Sequence, residues 1–190
     1  MASNAIEICS AALLKLGASP IDSLTDAAAE AQLANRLYPI IRDGLLSVHP
    51  WSFSLAQVAL EQSSVPLRVG YDYAFDLPLD CLRVVSAGAG CRPSGLDYRI
   101  QGPQLLASSS AITLRYQRRV PEAMFPPFFV AVLVARLAGE FCLPLTENST
   151  RTEGLQQVAA AELRLARLID SQQSTPRRFE DLTLVRAGEL

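Results

Sequence analysis

The chain has 190 residues, 49% hydrophobic and 19% charged, with mean hydropathy +0.19 and net charge −2. That length suits one domain, or one domain with an insertion; the apolar share slightly exceeds what a self-contained soluble domain needs, and such a surplus goes into subunit contacts. The mild acidity excludes the broad basic footprint of a general nucleic-acid binder.

All but one of the 17 basic residues are arginine, Lys15 being the exception. Arginine keeps its charge and pairs bidentately with carboxylates, which suits packed polar interfaces. A high-GC coding bias gives the same excess, so the composition leaves both explanations open. The cysteines, Cys9, Cys81, Cys91 and Cys142, form no CxxC pair and lie far in sequence from His49, the only histidine. They read as reduced small hydrophobes in a cytosolic setting, with no zinc site expected. Met1-Ala2-Ser3-Asn4 carries no basic n-region, so no secretory signal is expected there. The longest apolar run, Phe128 to Ala135, stops at Arg136, short of the roughly 20 residues that span a bilayer, and predicts a buried helix.

In chain order, Ser3 is placed to cap a first helix with apolar stripe Ile6, Cys9, Leu13 and Leu16, closed by Gly17 in the left-handed region. Thr25 or Asp26 is placed to cap a second helix running to Val48. Its stripe is Leu37, Ile40, Ile41, Gly44 and Val48. Pro39 inside it costs about 3 kcal/mol in a regular helix. The stripe continues in register through the proline, which predicts one kinked helix.

Pro50 cannot continue that helix and pushes His49 towards an extended conformation. His49, Pro50 and Trp51 are therefore expected to form a structural corner, with Trp51 and Phe53 on one face of a following strand. Phe53 and Leu55, then Val58 and Leu60, alternate in two registers and suggest a bulge. Further short strands are predicted at Tyr71–Leu77, Leu82–Ser86, Tyr98–Ile100, Leu105–Leu106 and Ile112–Gln117. With no helix among them, they predict a small antiparallel meander.

Helix returns near Pro126-Pro127. Phe128 to Leu143 is apolar almost all round apart from Arg136 and Glu140, which are four apart and can pair. Thr150 to Glu153 has the capping-box pattern for a fourth helix, with stripe Leu155, Val158, Ala159, Ala166 and Ile169. Glu162 falls within that stripe, either as an edge residue or as half of an intersubunit ion pair. Ser171 to Leu190 is a tail without strong period, carrying Arg177, Arg178 and Phe179. The fold expected is α+β: a four-helix bundle from 1–50 and 121–172, a central antiparallel β-meander insertion over 51–120, and a tail over 173–190.

For catalysis, the chain shows no GxxxxGK[ST], GxSxG or HExxH. His49 sits between a helix end and a proline, a structural setting, and a helix C-terminus would favour its charged form. Ala87-Gly88-Ala89-Gly90 lacks the following helix that a dinucleotide loop needs. Asp72, Asp76 and Asp80 alternate on or beside one strand, which is commoner in solvated edges than in glycosidases. No catalytic residue, cofactor or metal is assigned.

The ordered series Cys9 to Gly17, Pro20 to Asp26, Leu37-Tyr38-Pro39 with Arg42, and His49 to Phe53 continues through Tyr71 to Phe75, Leu77-Pro78 and Asp80 to Val84. It is similar to the tail tubular protein A family, the head-to-tail adaptors of tailed bacteriophages. The motifs cover about residues 5 to 85, and the remaining layout of strands, two helices and a tail also agrees. The resemblance implies a non-enzymatic virion protein made in the host cytoplasm. It would form a ring, commonly of twelve subunits, between the portal protein and the next tail tube or nozzle component. DNA would pass through the channel without specific binding, and no membrane would be involved. On that reading Arg136, Glu140, Glu162, Arg177, Arg178 and Phe179 are the candidate portal or subunit contacts. The alternatives are a virion-associated glycan hydrolase using Asp76 or Asp80, and a DNA-binding assembly factor touching phosphate through Arg115, Arg118 and Arg119.

Overall fold

The computed structural model describes residues 4–63, 70–91 and 94–173. Four helices, α1 (Ala5–Leu16), α2 (Ala29–Val48), α3 (Pro127–Thr146) and α4 (Ser149–Ser171), flank six strands. These are β1 (Leu55–Leu60), β2 (Tyr73–Asp76), β3 (Cys81–Ala89), β4 (Tyr98–Gln101), β5 (Gln104–Ala107) and β6 (Ile112–Arg118). The class is α+β, but the helices are not a four-helix bundle. Helix α3 is a central rod against which α1, α2 and α4 each pack, whereas α2 and α4 do not close on one another. Among the described residues, the fourth side of a bundle is therefore open. Periodicity identifies which helices carry apolar stripes; it does not say whether each stripe is used within the monomer.

The helix ends also differ from expectation. Asn4, not Ser3, caps α1: its Oδ1 accepts from Glu7 N (2.8 Å) while Glu7 Oε2 accepts from Asn4 N (3.2 Å), a reciprocal capping box. Thr25 and Asp26 are spent in a tight turn, Asp26 accepting from Ser23 N, and α2 starts at Ala29 with no side-chain cap. Asn148, not Thr150, caps α4 by accepting from Arg151 N (2.9 Å). Pro39 lies within α2, and Pro127 opens α3 at a position whose missing N–H has no helical partner to lose.

The strands form no meander. They make two three-stranded antiparallel sheets, ordered β1-β6-β3 and β2-β5-β4, which enclose a core of Phe75, Ala87, Leu105, Ala107, Ile112, Leu114 and Tyr116. The last strand lies between the first and the third, a pairing that strand-by-strand alternation cannot reveal. The β1–β6 register is unbroken, and the irregularities fall in β3 instead, between Cys81 and Arg83 and between Val84 and Ser86. Phe53 belongs to a 3-10 turn, Ser52–Ser54, ahead of β1, and the change of apolar register between Leu55 and Val58 falls inside the evenly paired β1, so it marks no bulge.

A larger core fills the helical half and draws in Trp51, Val120, Phe125 and Phe129. Helix α3 is long and apolar enough to cross a membrane by length and composition. In this fold ten of its residues, from Phe129 to Cys142, are buried among the surrounding elements, as in the core helix of a globular protein.

Candidate assembly surface

The junction of the two cores fixes everything around it. Trp51 is fully buried, and its Nε1–H donates to Leu45 O (2.9 Å), the partner an indole needs when dry. Its ring meets His49 and Phe129 edge-on, at centroid distances of 4.7 and 5.2 Å. Phe53, Phe125 and Phe129 extend the aromatic cluster at 4.9 to 6.2 Å. Thus Trp51 and Phe53 do converge, through a 3-10 turn instead of along a strand.

Asp170, at the end of α4, is the polar counterpart of that cluster. It is 4% exposed, accepts from Ser52 N through both oxygens (3.1 Å each) and from Ser52 Oγ (2.7 Å), and lies 3.3 Å from His49 Nε2. A carboxylate here satisfies the orphan N–H at the start of the Ser52–Ser54 turn. From the sheet side, Gln117 of β6 donates through Nε2 to His49 O and to Ser54 Oγ (3.2 Å). One corner therefore joins α2, α4 and β6. Burial lowers the His49 pKa, against the pull of Asp170, so the imidazole is held neutral and donates Nε2–H to the carboxylate. The charged form expected from the helix end is overturned by burial.

A second clamp ties α2 to the segment between β6 and α3. Glu122 accepts from Tyr38 Oη (3.1 Å) and Arg42 Nη1 (3.0 Å), while Asp43 accepts from Arg42 Nε (2.9 Å) and Arg119 Nη2 (2.6 Å). Burial would raise both carboxyl pKa values, but hydrogen bonds outweigh it: Arg119 and Arg42 hold Asp43 low, and Glu122 is held low by its own backbone N–H, Arg42 and Tyr38. Arg119 is thus committed to a carboxylate.

Between α2 and α4, above α3, the open side of the helical half forms a cleft of about 530 Å³. Leu37, Ile40, Ile41, Gly44 and Val48 line its α2 wall, and Ala159, Ala160 and Leu163 its α4 wall. The α2 stripe read from the sequence is therefore not that helix's buried face. Ala31, Ala34, Tyr38, Leu45 and Leu46 are buried, while Ile40 and Val48 are 68% and 46% exposed. Arg136 and Glu140 stand in the same cleft, paired at 2.9 Å. Glu162 is half-buried on α4 and forms no ion pair with a described residue. Arg177, Arg178 and Phe179 lie outside the described residues.

Of the carboxylates weighed for catalysis, Asp76 accepts from Gln104 Nε2 (3.0 Å) and Asp80 from Tyr116 Oη (3.2 Å). Among the described residues, no group of three or more His, Cys, Asp or Glu is placed to hold a metal ion. All four cysteines are free, and burial pushes the Cys9 thiol up to about 12, where it is inert at neutral pH.

Sequence reasoning missed Asp170 and the outer row of α4. Val158, Leu165 and Leu168 are 49%, 53% and 56% exposed, so Val158 does not belong to the buried stripe. Two signals were available. Asp170 falls four residues beyond buried Ala166, where a charge demands a specific partner, and 158, 161, 165 and 168 repeat at three- and four-residue spacing. No family model matches the chain, and no curated protein matches it.

Proposed function

We propose that this chain is a structural head-to-tail adaptor of a tailed phage, a subunit of a ring that joins the portal to the tail and continues the DNA channel. The observation that carries the reading is the open apolar cleft. Along the α2 stripe Leu37 and Ile41 pack partly on the core, but among the described residues nothing covers Ile40 and Val48 at the cleft, and exposed apolar surface of that kind marks an interaction site. The resemblance of the ordered motif series through His49-Pro50-Trp51-Ser52-Phe53 to the adaptor family supports this choice of assembly. Rigidity supports it as well. The Asp170 corner and the Glu122 clamp tie α4 and α2 to the turns that flank the sheets by charge-assisted bonds, as a subunit under mechanical strain requires.

The reading makes the portal protein, a tail tube or nozzle component and further copies of this chain the partners. Electron microscopy of the purified protein with and without its cognate portal ring tests it. A ring on the portal is expected. A monomer at all concentrations that leaves the portal bare overturns it. Removing residues 173–190 is expected to weaken portal binding, because that stretch carries Arg177, Arg178 and Phe179.

A further inference from the structure

We infer that the cleft between α2 and α4 receives the outer row of α4 from a second copy of this chain, in a head-to-tail contact. The inference rests on the self-assembly part of the proposed function and deepens it by naming the two faces that meet.

Both halves of the contact are on one helix. At 100° per residue, the cleft-facing residues Ala159, Ala160 and Leu163 and the outer residues Val158, Leu165 and Leu168 lie roughly 170° apart around α4. A copy that presents its row to a neighbour's cleft leaves its own cleft free for the next copy. Such a contact is heterologous and closes into a ring when the rotation permits. The outer row repeats as 158, 161, 165, 168, the spacing of a helix-packing seam, so it presents knobs at regular intervals along α4.

Two glycines point the same way. Gly44 sits mid-helix in the α2 wall, between Ile40 and Val48, and Gly154 is exposed on the outer side of α4, one turn before Val158. A Cβ added at either position would meet nothing within 4 Å, and neither glycine has positive φ. Neither the fold of one chain nor its backbone conformation requires them. Glycine is a poor helix former, so its use there calls for another reason, and close approach by a second helix is one. By contrast, a Cβ at Gly139 would touch Gln156 and the backbone of α4, so that glycine is accounted for within the chain.

Charge selects the occupant. Among the described residues, Arg136 and Glu140 are the only charged ones lining the cleft, and they neutralise one another. An aliphatic row enters such a cleft without leaving a buried charge unpaired, whereas an anionic or cationic ligand would find no net counter-charge.

The test uses full-length protein carrying Cys91→Ser, which removes the exposed native thiol. One preparation adds Ile40→Cys and another adds Leu165→Cys, both at exposed positions that leave the core intact. Mixed and oxidised in the presence of portal, they are expected to give a 40–165 disulfide dimer at least tenfold above a Leu79→Cys control, which lies on a fully exposed turn. Gly44→Leu places a side chain in the α2 notch, at a position where an added Cβ meets nothing within 4 Å. It is expected to keep or slightly raise the circular dichroism melt, leucine being the better helix former, and to weaken self-association at least tenfold. Assembly on the portal with no 40–165 bridge above control overturns the inference and leaves the adaptor reading standing. So does a 165–165 bridge formed by the second preparation alone, which would mean two-fold pairing of α4, or unchanged association of Gly44→Leu. A chain that never associates overturns both.

Discussion

Asp170→Ala is the sharpest single test of how the two halves are joined. The substitution removes an acceptor that takes the Ser52 backbone N–H and the Ser52 hydroxyl and orients His49. A hydrogen bond to a charged group contributes about 1.5–3 kcal/mol net, so two of them set a ceiling of about 6 kcal/mol. Two effects reduce that ceiling. Removing a buried carboxylate also removes its desolvation cost. A recess of about 600 Å³, lined by His49, Ser52, Arg115 and Asp170, gives water access to the freed donors. The expected loss is therefore about 2–3 kcal/mol, with Asp170→Asn losing about 1 because its amide oxygen still accepts from Ser52. Trp51 is the only tryptophan and is fully buried against this corner, so urea unfolding followed by its fluorescence reads the effect directly. An unfolding midpoint for Asp170→Ala that coincides with the unsubstituted protein, at unchanged slope, would refute the assignment of Asp170 as the bond between α4 and the corner.

Phe129→Ala removes the ring that touches Trp51, Phe53 and Phe125, and should cost about 3–5 kcal/mol in the same assay. His49 has a folded pKa below its unfolded value, so the unfolded chain binds its proton more readily. Its contribution is complete above about pH 6.5 and is lost as pH falls through the lowered folded value; unfolding free energies measured from pH 7.5 to 5 should decline less steeply in His49→Gln. Tyr38→Phe deletes a bond to a carboxylate that Arg42 also holds, and should cost about 1 kcal/mol by urea midpoint.

What the sequence revealed followed from local rules. Gly17 ends α1 in the left-handed region because no side chain opposes it there, and Pro50 ends α2 because it has no N–H to give. Arg136 and Glu140 pair because four residues return to one helix face. What stayed hidden required knowledge of distant partners. Alternation marks Ile112–Arg118 as a strand, yet nothing local says that it pairs with both Leu55–Leu60 and Cys81–Ala89. The Leu37–Val48 stripe looks like a core face because amphipathicity measures the wish for burial, yet only Leu37 and Ile41 pack on the core while Ile40 and Val48 stay exposed. Asp170 escaped notice because its partner Ser52 is 118 residues away.

The same geometry explains why so exposed a helix as α4 could still serve as a docking element. Its flank packs on α3, and its two ends are tied elsewhere. At the N-terminal end, Asn148 caps the helix and Arg151 Nη2 donates to Lys15 O (3.2 Å) at the end of α1. At the C-terminal end, Asp170 grips Ser52. A helix of 23 residues, about 34 Å long, is thus fixed at both ends while its outer row faces away from the body. A rigid, pre-positioned row loses little conformational entropy when it docks, so modest apolar area yields useful affinity. The corner and the cleft are then coupled. Loosening Asp170 should weaken association more than its distance from the cleft suggests, because it frees the end of the helix that carries Leu165 and Leu168. Sedimentation of Asp170→Asn, at a urea-free temperature where the protein remains folded, should show weaker self-association than Tyr38→Phe of matched stability. Equal association of the two variants would mean that α4 is held by α3 alone.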